Sequence, residues 1–141
     1  MSAEDKKALV REATYEIWNN GNFGVLEKAY TSDYVSHDTS SPEPLNAQAF
    51  KESVTLYRAA FPDMLVKVED EILEGDMLVE RWSATCTHRG EFMGLPPTGK
   101  KLSLTGISVV RLRADKIAES WENYDALGML QQLGAAPAPG N

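Results

Sequence analysis

The apolar residues of this 141-residue chain change period once, close to Pro62. Before it they recur at helical spacing, and after it they alternate as strands do. Leu9, Val10, Ala13, Ile17 and Trp18 make one face of a helix predicted over Ala3 to Asn20. Ser2 and Asp5 fit a capping box, with Asp in place of the usual Glu. "NNGN" ends that helix, and a short second helix is expected in "FGVLEKAY". "TSDYVSHDTSSPEPLN" reads as irregular because of its prolines and serines. A third helix runs from about Ala47 to Ala60, with Phe50, Val54, Tyr57 and Phe61 near one face. It stops at "FPD", where the residue before proline avoids helical angles.

Four strand-like segments follow: "MLVKVEDEILEGD", "MLVERWSATCTHRGEF", "KLSLTGISVVRLR" and "KIAESWENY". "EGD" and "AD" are tight turns, and "MGLPPTGK" is a Gly/Pro loop. A last amphipathic helix, "ALGMLQQLG", leads into "AAPAPGN", read as a frayed tail over about 135–141. Helices first and a meander of strands second define an α+β class, with an antiparallel sheet covered on one face by helices. Twist would curl such long strands around the N-terminal helices and leave an internal pocket on the concave side. There is no repeat and no linker, so residues 1–141 are read as one domain.

Charge and composition narrow the partners. A net charge of −7 argues against nucleic acid, which needs a basic face, and against an anionic membrane surface. No apolar run approaches the ~20 residues of a membrane span. "MSAEDKKALVREA" lacks the apolar core of a signal peptide, so the expected location is cytoplasmic. One cysteine, Cys86, excludes an internal disulfide and reads as an inert strand thiol. The expected ligand is a small molecule.

The two candidate proton-transfer acids lie near the C-terminus. In "ESWENYDALGMLQQLG", strict alternation puts Glu119, Trp121, Asn123 and Asp125 on one face and Ser120, Glu122 and Tyr124 on the other. Asp125 is the preferred proton-transfer acid, facing the pocket at the strand end. It is equally a good N-cap for the last helix. Glu122 is the rival carboxylate. His37 in "YVSHD" and His88 in "THRGEF" are the only histidines, and either could exchange protons beside an acid. Their separation from one another and from Asp38 in sequence argues against a metal site. Trp18, Trp82, Trp121, Tyr15, Tyr34 and Tyr57, with Asn123, are candidates to touch substrate, although aromatics are also ordinary core filler. Arg81 and Arg111 read as outer-face or interface residues.

The stretch "EGDMLVERWSATCTHRGEFMGLPPTGKKLSLTGISVVRLRADKIAESWENYDALGMLQQLG", together with "YVSHD", closely resembles the SnoaL-like polyketide cyclase family of the NTF2-like superfamily. The resemblance implies a conical α+β barrel around a deep pocket, and a homodimer formed through the outer sheet face. It implies an intramolecular aldol closure without metal or cofactor, in which an Asp moves the proton. In many such cyclases the acid directly follows the strand's tryptophan, a position filled here by Glu122. The expected function is acid–base cyclisation, isomerisation or lysis of a small, mostly apolar carbonyl compound. The alternatives are a non-catalytic binding protein using the same pocket and a homodimeric scaffold.

Overall fold

The computed structural model of the chain describes residues 1–39 and 41–137. Helix α1 spans Ala3–Trp18, and the Ser2–Asp5 capping box closes its N-terminus in both directions. Helix α2 is Val25–Ala29 and α3 is Ala47–Ala60, the latter capped by Asn46. The four expected strands are present as β3 (Leu65–Glu74), β4 (Met77–Thr87), β5 (Lys101–Arg113) and β6 (Lys116–Tyr124). Helix α4 is Ala126–Leu133. The β5–β6 turn places both Ala114 and Asp115 at positive φ, the backbone of a tight hairpin.

Two strands lie where the sequence reads as irregular. Tyr30–Asp38 is β1, and Leu45–Asn46 is the short β2. The sheet order is β2-β1-β6-β5-β4-β3. It is therefore mixed rather than wholly antiparallel, because β1 runs parallel to β6. The serines and charged residues of β1 concealed it: buried Tyr34 and Ser36 flank the apolar Val35, so the inward phase carries a polar Ser and the apolar residues do not alternate. The second long strand is also shorter than expected. After Thr87 the chain leaves β5, and the amides of Arg89 and Gly90 donate to Ala60 O at the end of α3. Gly90 makes that approach possible, since a Cβ there would lie 2.3 Å from Ala59 O. The expected tail falls largely on 138–141, outside the described residues.

The sheet curls without closing, and α1 and α3 cover its concave face. Val10, Ala13 and Ile17 of α1 and Phe50 and Val54 of α3 pack with Leu78, Val110, Leu112 and Ile117. Ile17 is 1% exposed, so its truncation to Ala would cost about 2–5 kcal/mol. A second cluster joins Phe61, Met64, Val66, Leu102, Leu104, Met129 and Leu133, and Trp18 touches both clusters. The seam between these two apolar bodies is not filled. It holds the cavity.

Candidate active site

Strand register builds the site. Glu80 of β4 is paired with Ser108 of β5, Ser108 with Glu122 of β6, and Glu122 with Asp38 of β1. These four residues form one row across four strands. Because side chains alternate along each strand, a row in register points to one side of the sheet. Here that side is the concave one, and all four line the cavity. On β3 the row continues to Glu71, opposite Glu80, where Arg11 of α1 forms an ion pair with it.

The cavity has a volume of about 90 Å³. Its walls are mainly apolar and aromatic, and no Lys, Arg or His lines it among the described residues. Tyr34 OH and Ser120 Oγ are 2.6 Å apart, and Tyr57 OH and Tyr124 OH are 2.9 Å apart. Burial raises the Tyr34 phenol well above its usual range, so it stays protonated.

Glu122 lies half-buried on the cavity wall. Desolvation, reinforced by the negative charges of Glu80 and Asp38, pushes its carboxyl up to about 7, against the pull of a Ser108 hydrogen bond. Ser108 in turn accepts a hydrogen bond from Trp82 Nε1 at 3.1 Å. Glu80 is 2% exposed. Burial raises it to about 7 as well, opposed by the hydroxyl of Thr14, which donates to Oε1 at 2.8 Å, and raised further by Glu71. Two carboxyl groups that titrate near neutrality in a largely apolar pocket can take and give protons at physiological pH.

The remaining expected residues divide between cavity and elsewhere. Trp18 and Tyr34 line the cavity, and Asn123 borders it. Tyr15 does not; its OH accepts from Val68 N at 3.1 Å and ties α1 to β3. Asp125, expected to face the pocket, is exposed and accepts from Gly128 N at 2.9 Å as the cap of α4. The alternation read from the sequence is correct, but its inward phase is the other one: Ser120, Glu122 and Tyr124 face the cavity.

Trp121 correspondingly lies on the outer face. It stacks on His37 with ring centroids 5.2 Å apart and planes 12° from parallel. His37 Nε2 sits 2.7 Å from Glu119, which Arg111 also binds at 2.7 Å. Those two partners, Arg111 foremost, hold the Glu119 carboxyl below its usual range. His88 is fully buried beneath the β4–β5 loop, where its Nδ1 accepts from Thr98 N at 3.2 Å. The two histidines therefore do not meet at the cavity mouth and do not approach Asp125 as a pair. Each is held by its own local partners.

Glu80 and Ser108 escaped the sequence reading, whereas Trp82, a candidate pocket aromatic, does line the cavity. A signal was present: Leu78, Glu80, Trp82 and Ala84 share one phase of β4, and an acid in an otherwise apolar phase marks a buried carboxylate. Among the described residues no group of His, Cys, Asp and Glu is arranged to hold a metal ion.

A curled, unclosed sheet with helices on its concave side and an acid-lined pocket between them defines the NTF2-like class of α+β proteins. The SnoaL-like polyketide cyclase family model matches residues 8–133, and the chain belongs to that family. It is 28% identical over 129 residues to aklanonic acid methyl ester cyclase DnrD of Streptomyces peucetius, covering 89% of this chain and 88% of that one. The structure of IdmH, a proposed polyketide cyclase of Streptomyces antibioticus, superposes with a TM-score of 0.81 at 31% identity, covering 92% of this chain and 98% of that one. AclR of Streptomyces galilaeus, a proposed hydroxylase, gives a TM-score of 0.87 at 26% identity, with 99% and 91% covered.

Proposed function

We propose that the protein is an acid–base cyclase for a small, mostly apolar carbonyl compound of the polyketide type, with Glu122 as its proton-transfer base. The observation that carries this reading is the position of Glu122: half-buried on the wall of an apolar cavity, raised to about 7 and held by Ser108. A carboxylate desolvated in this way is a stronger base than one in water, and it is still ionised in part at neutral pH. Glu122 takes a proton from the carbon next to a carbonyl. The resulting enolate carbon forms a bond to a second carbonyl carbon of the same molecule. That carbonyl's π electrons move to its oxygen, which is then protonated to a hydroxyl. Each step uses groups of the chain and of the substrate. The absence of cationic side chains from the wall, among the described residues, favours an ester or ketone over a free carboxylate.

The test is turnover of polyketide methyl esters such as aklanonic acid methyl ester, the compound in the name of the related cyclase. Glu122→Gln should lower kcat by at least about a hundredfold, the usual scale of a lost general base. Turnover unchanged in that variant refutes the assignment. Tight binding of such an ester without any turnover would favour the binding-protein reading. A homodimer through the outer sheet face is part of the same proposal, supported by exposed Leu65, Ile72 and Ile107 on the sheet. Sedimentation of a monomer at micromolar concentration would refute that part.

A further inference from the structure

Glu80 is a buried carboxyl group of the cavity that the chemistry above leaves unused, and its surroundings assign it a task. The hydrogen bonds of the row have a fixed direction. Trp82 Nε1 can only donate, so Ser108 Oγ accepts from it at 3.1 Å. The hydroxyl proton of Ser108 is then directed at Glu122. Glu122 is thereby held as an acceptor, the state of an ionised base. Glu80 is held differently. Its Oε1 accepts from Thr14, while Oε2 is buried and has no hydrogen-bond partner among the described residues. A bare, buried carboxylate oxygen is costly when charged, whereas a carboxylic acid there carries a proton that can serve a ligand.

Of the charges near Glu80, Glu71 favours its protonated form and Arg11 opposes it. Glu71 on β3 forms an ion pair with Arg11 of α1, whereas Glu122 on β6 faces the same cavity as Glu80, whose wall carries no Lys, Arg or His among the described residues. Glu80 and Glu122, two carboxyl groups in one apolar space, do not both ionise readily, and they titrate as a pair.

We propose that Glu80 is the second catalytic residue of the site: it enters the reaction as a carboxylic acid and donates from Oε2 to the substrate oxygen on which negative charge develops. The inference rests on the cyclase reading for its reaction, but not for its geometry. As the carbon–carbon bond forms and the carbonyl oxygen becomes an alkoxide, that oxygen takes the proton of Glu80. Glu80 ends ionised and Glu122 ends protonated. Return of one proton from Glu122 to Glu80 restores the starting state, with no net gain or loss. A neutral oxygen ligand fits between an acid and a base on opposite sides of Ser108, and an anionic ligand does not.

The experiment measures binding of 2-naphthol, a flat uncharged enol-shaped probe, and of 2-naphthoate, its anionic counterpart, from pH 5 to 9. Wild type should bind naphthol at least tenfold tighter than naphthoate at pH 6, and should lose naphthol affinity as the acid pair ionises. Glu80→Leu should weaken naphthol binding at least tenfold at pH 6. Glu80→Gln keeps an N–H donor at every pH and should abolish the alkaline loss, which a merely structural role would not do. Thr14→Val removes the hydrogen bond that favours ionisation of Glu80 and should move the alkaline loss to higher pH. Persistence of that loss in Glu80→Gln, no movement in Thr14→Val, or absence of naphthol binding to wild type would each overturn the proposal. Turnover by Glu122→Gln bears on the cyclase reading and not on these curves, so the two can fail separately.

Discussion

Glu122 and Asp125 stand three residues apart and on opposite sides of the sheet: Glu122 lines the cavity, while Asp125 borders an outer groove with Arg81 and Ile107 and caps α4. The separation leaves Glu122 to the proposed proton transfer and gives Asp125 to helix stability. Asp125→Ala should destabilise the protein by about 1 kcal/mol, the usual cost of losing an N-cap, and Asp125→Asn by much less. Neither should change kcat. Urea denaturation with a parallel rate measurement checks both, and a large fall in kcat for the Asn variant would return Asp125 to the mechanism.

Ser108 sets the basicity of Glu122. Its hydrogen bond lowers a carboxyl that burial has raised to about 7. Ser108→Ala should raise that pKa further, so the acid limb of the kcat/KM profile should move to higher pH. A shift of one unit would lower the rate at pH 6 about tenfold. A profile that stays in place, or moves to lower pH, contradicts this role.

Glu80 should make the protein less stable as the pH rises. Burial pushes its folded pKa up to about 7, above the ordinary glutamate value of 4.5. A group raised in this way contributes stability that is complete below its unfolded pKa and is lost as the pH climbs through its folded pKa. The loss between pH 4.5 and 7 is on the order of 3 kcal/mol. Glu80→Gln has no carboxyl to ionise, so its stability relative to wild type should improve between pH 5 and pH 8. Denaturant midpoints at the two pH values decide it, and a constant difference would refute the buried ionisation.

Trp82 lies against Gly106 on the neighbouring strand, where an added Cβ would come within 2.2 Å of the indole ring and 2.8 Å of Asn123 O. Gly106→Ala should displace the indole, break its bond to Ser108 and lower stability by about 1–3 kcal/mol. Indole fluorescence and a melting curve would register the change. A variant with native stability and unaltered emission would show that the ring has room to move.

Local sequence determined a great deal of this molecule. The capping residues Ser2 and Asn46, the helical spacing of Val10, Ala13 and Ile17, and the alternation of β3 to β6 are short-range patterns, and local backbone and burial preferences are enough to express them. The family resemblance carried the same information to the level of the cone. Strand β1 was hidden because its pairing with β6 joins residues some eighty positions apart, and nothing within its own nine residues demands a partner. The site was hidden for a related reason. Alternation divides Glu119, Trp121, Asn123 and Asp125 from Ser120, Glu122 and Tyr124, but it does not say which set faces in. That is decided by which face the helices cover. Only the tertiary structure aligns Glu80, Ser108, Glu122 and Asp38 in one row, because register across four strands is a long-range property. Only burial in the seam between two apolar clusters gives two ordinary glutamates the proton affinity that chemistry near neutral pH requires.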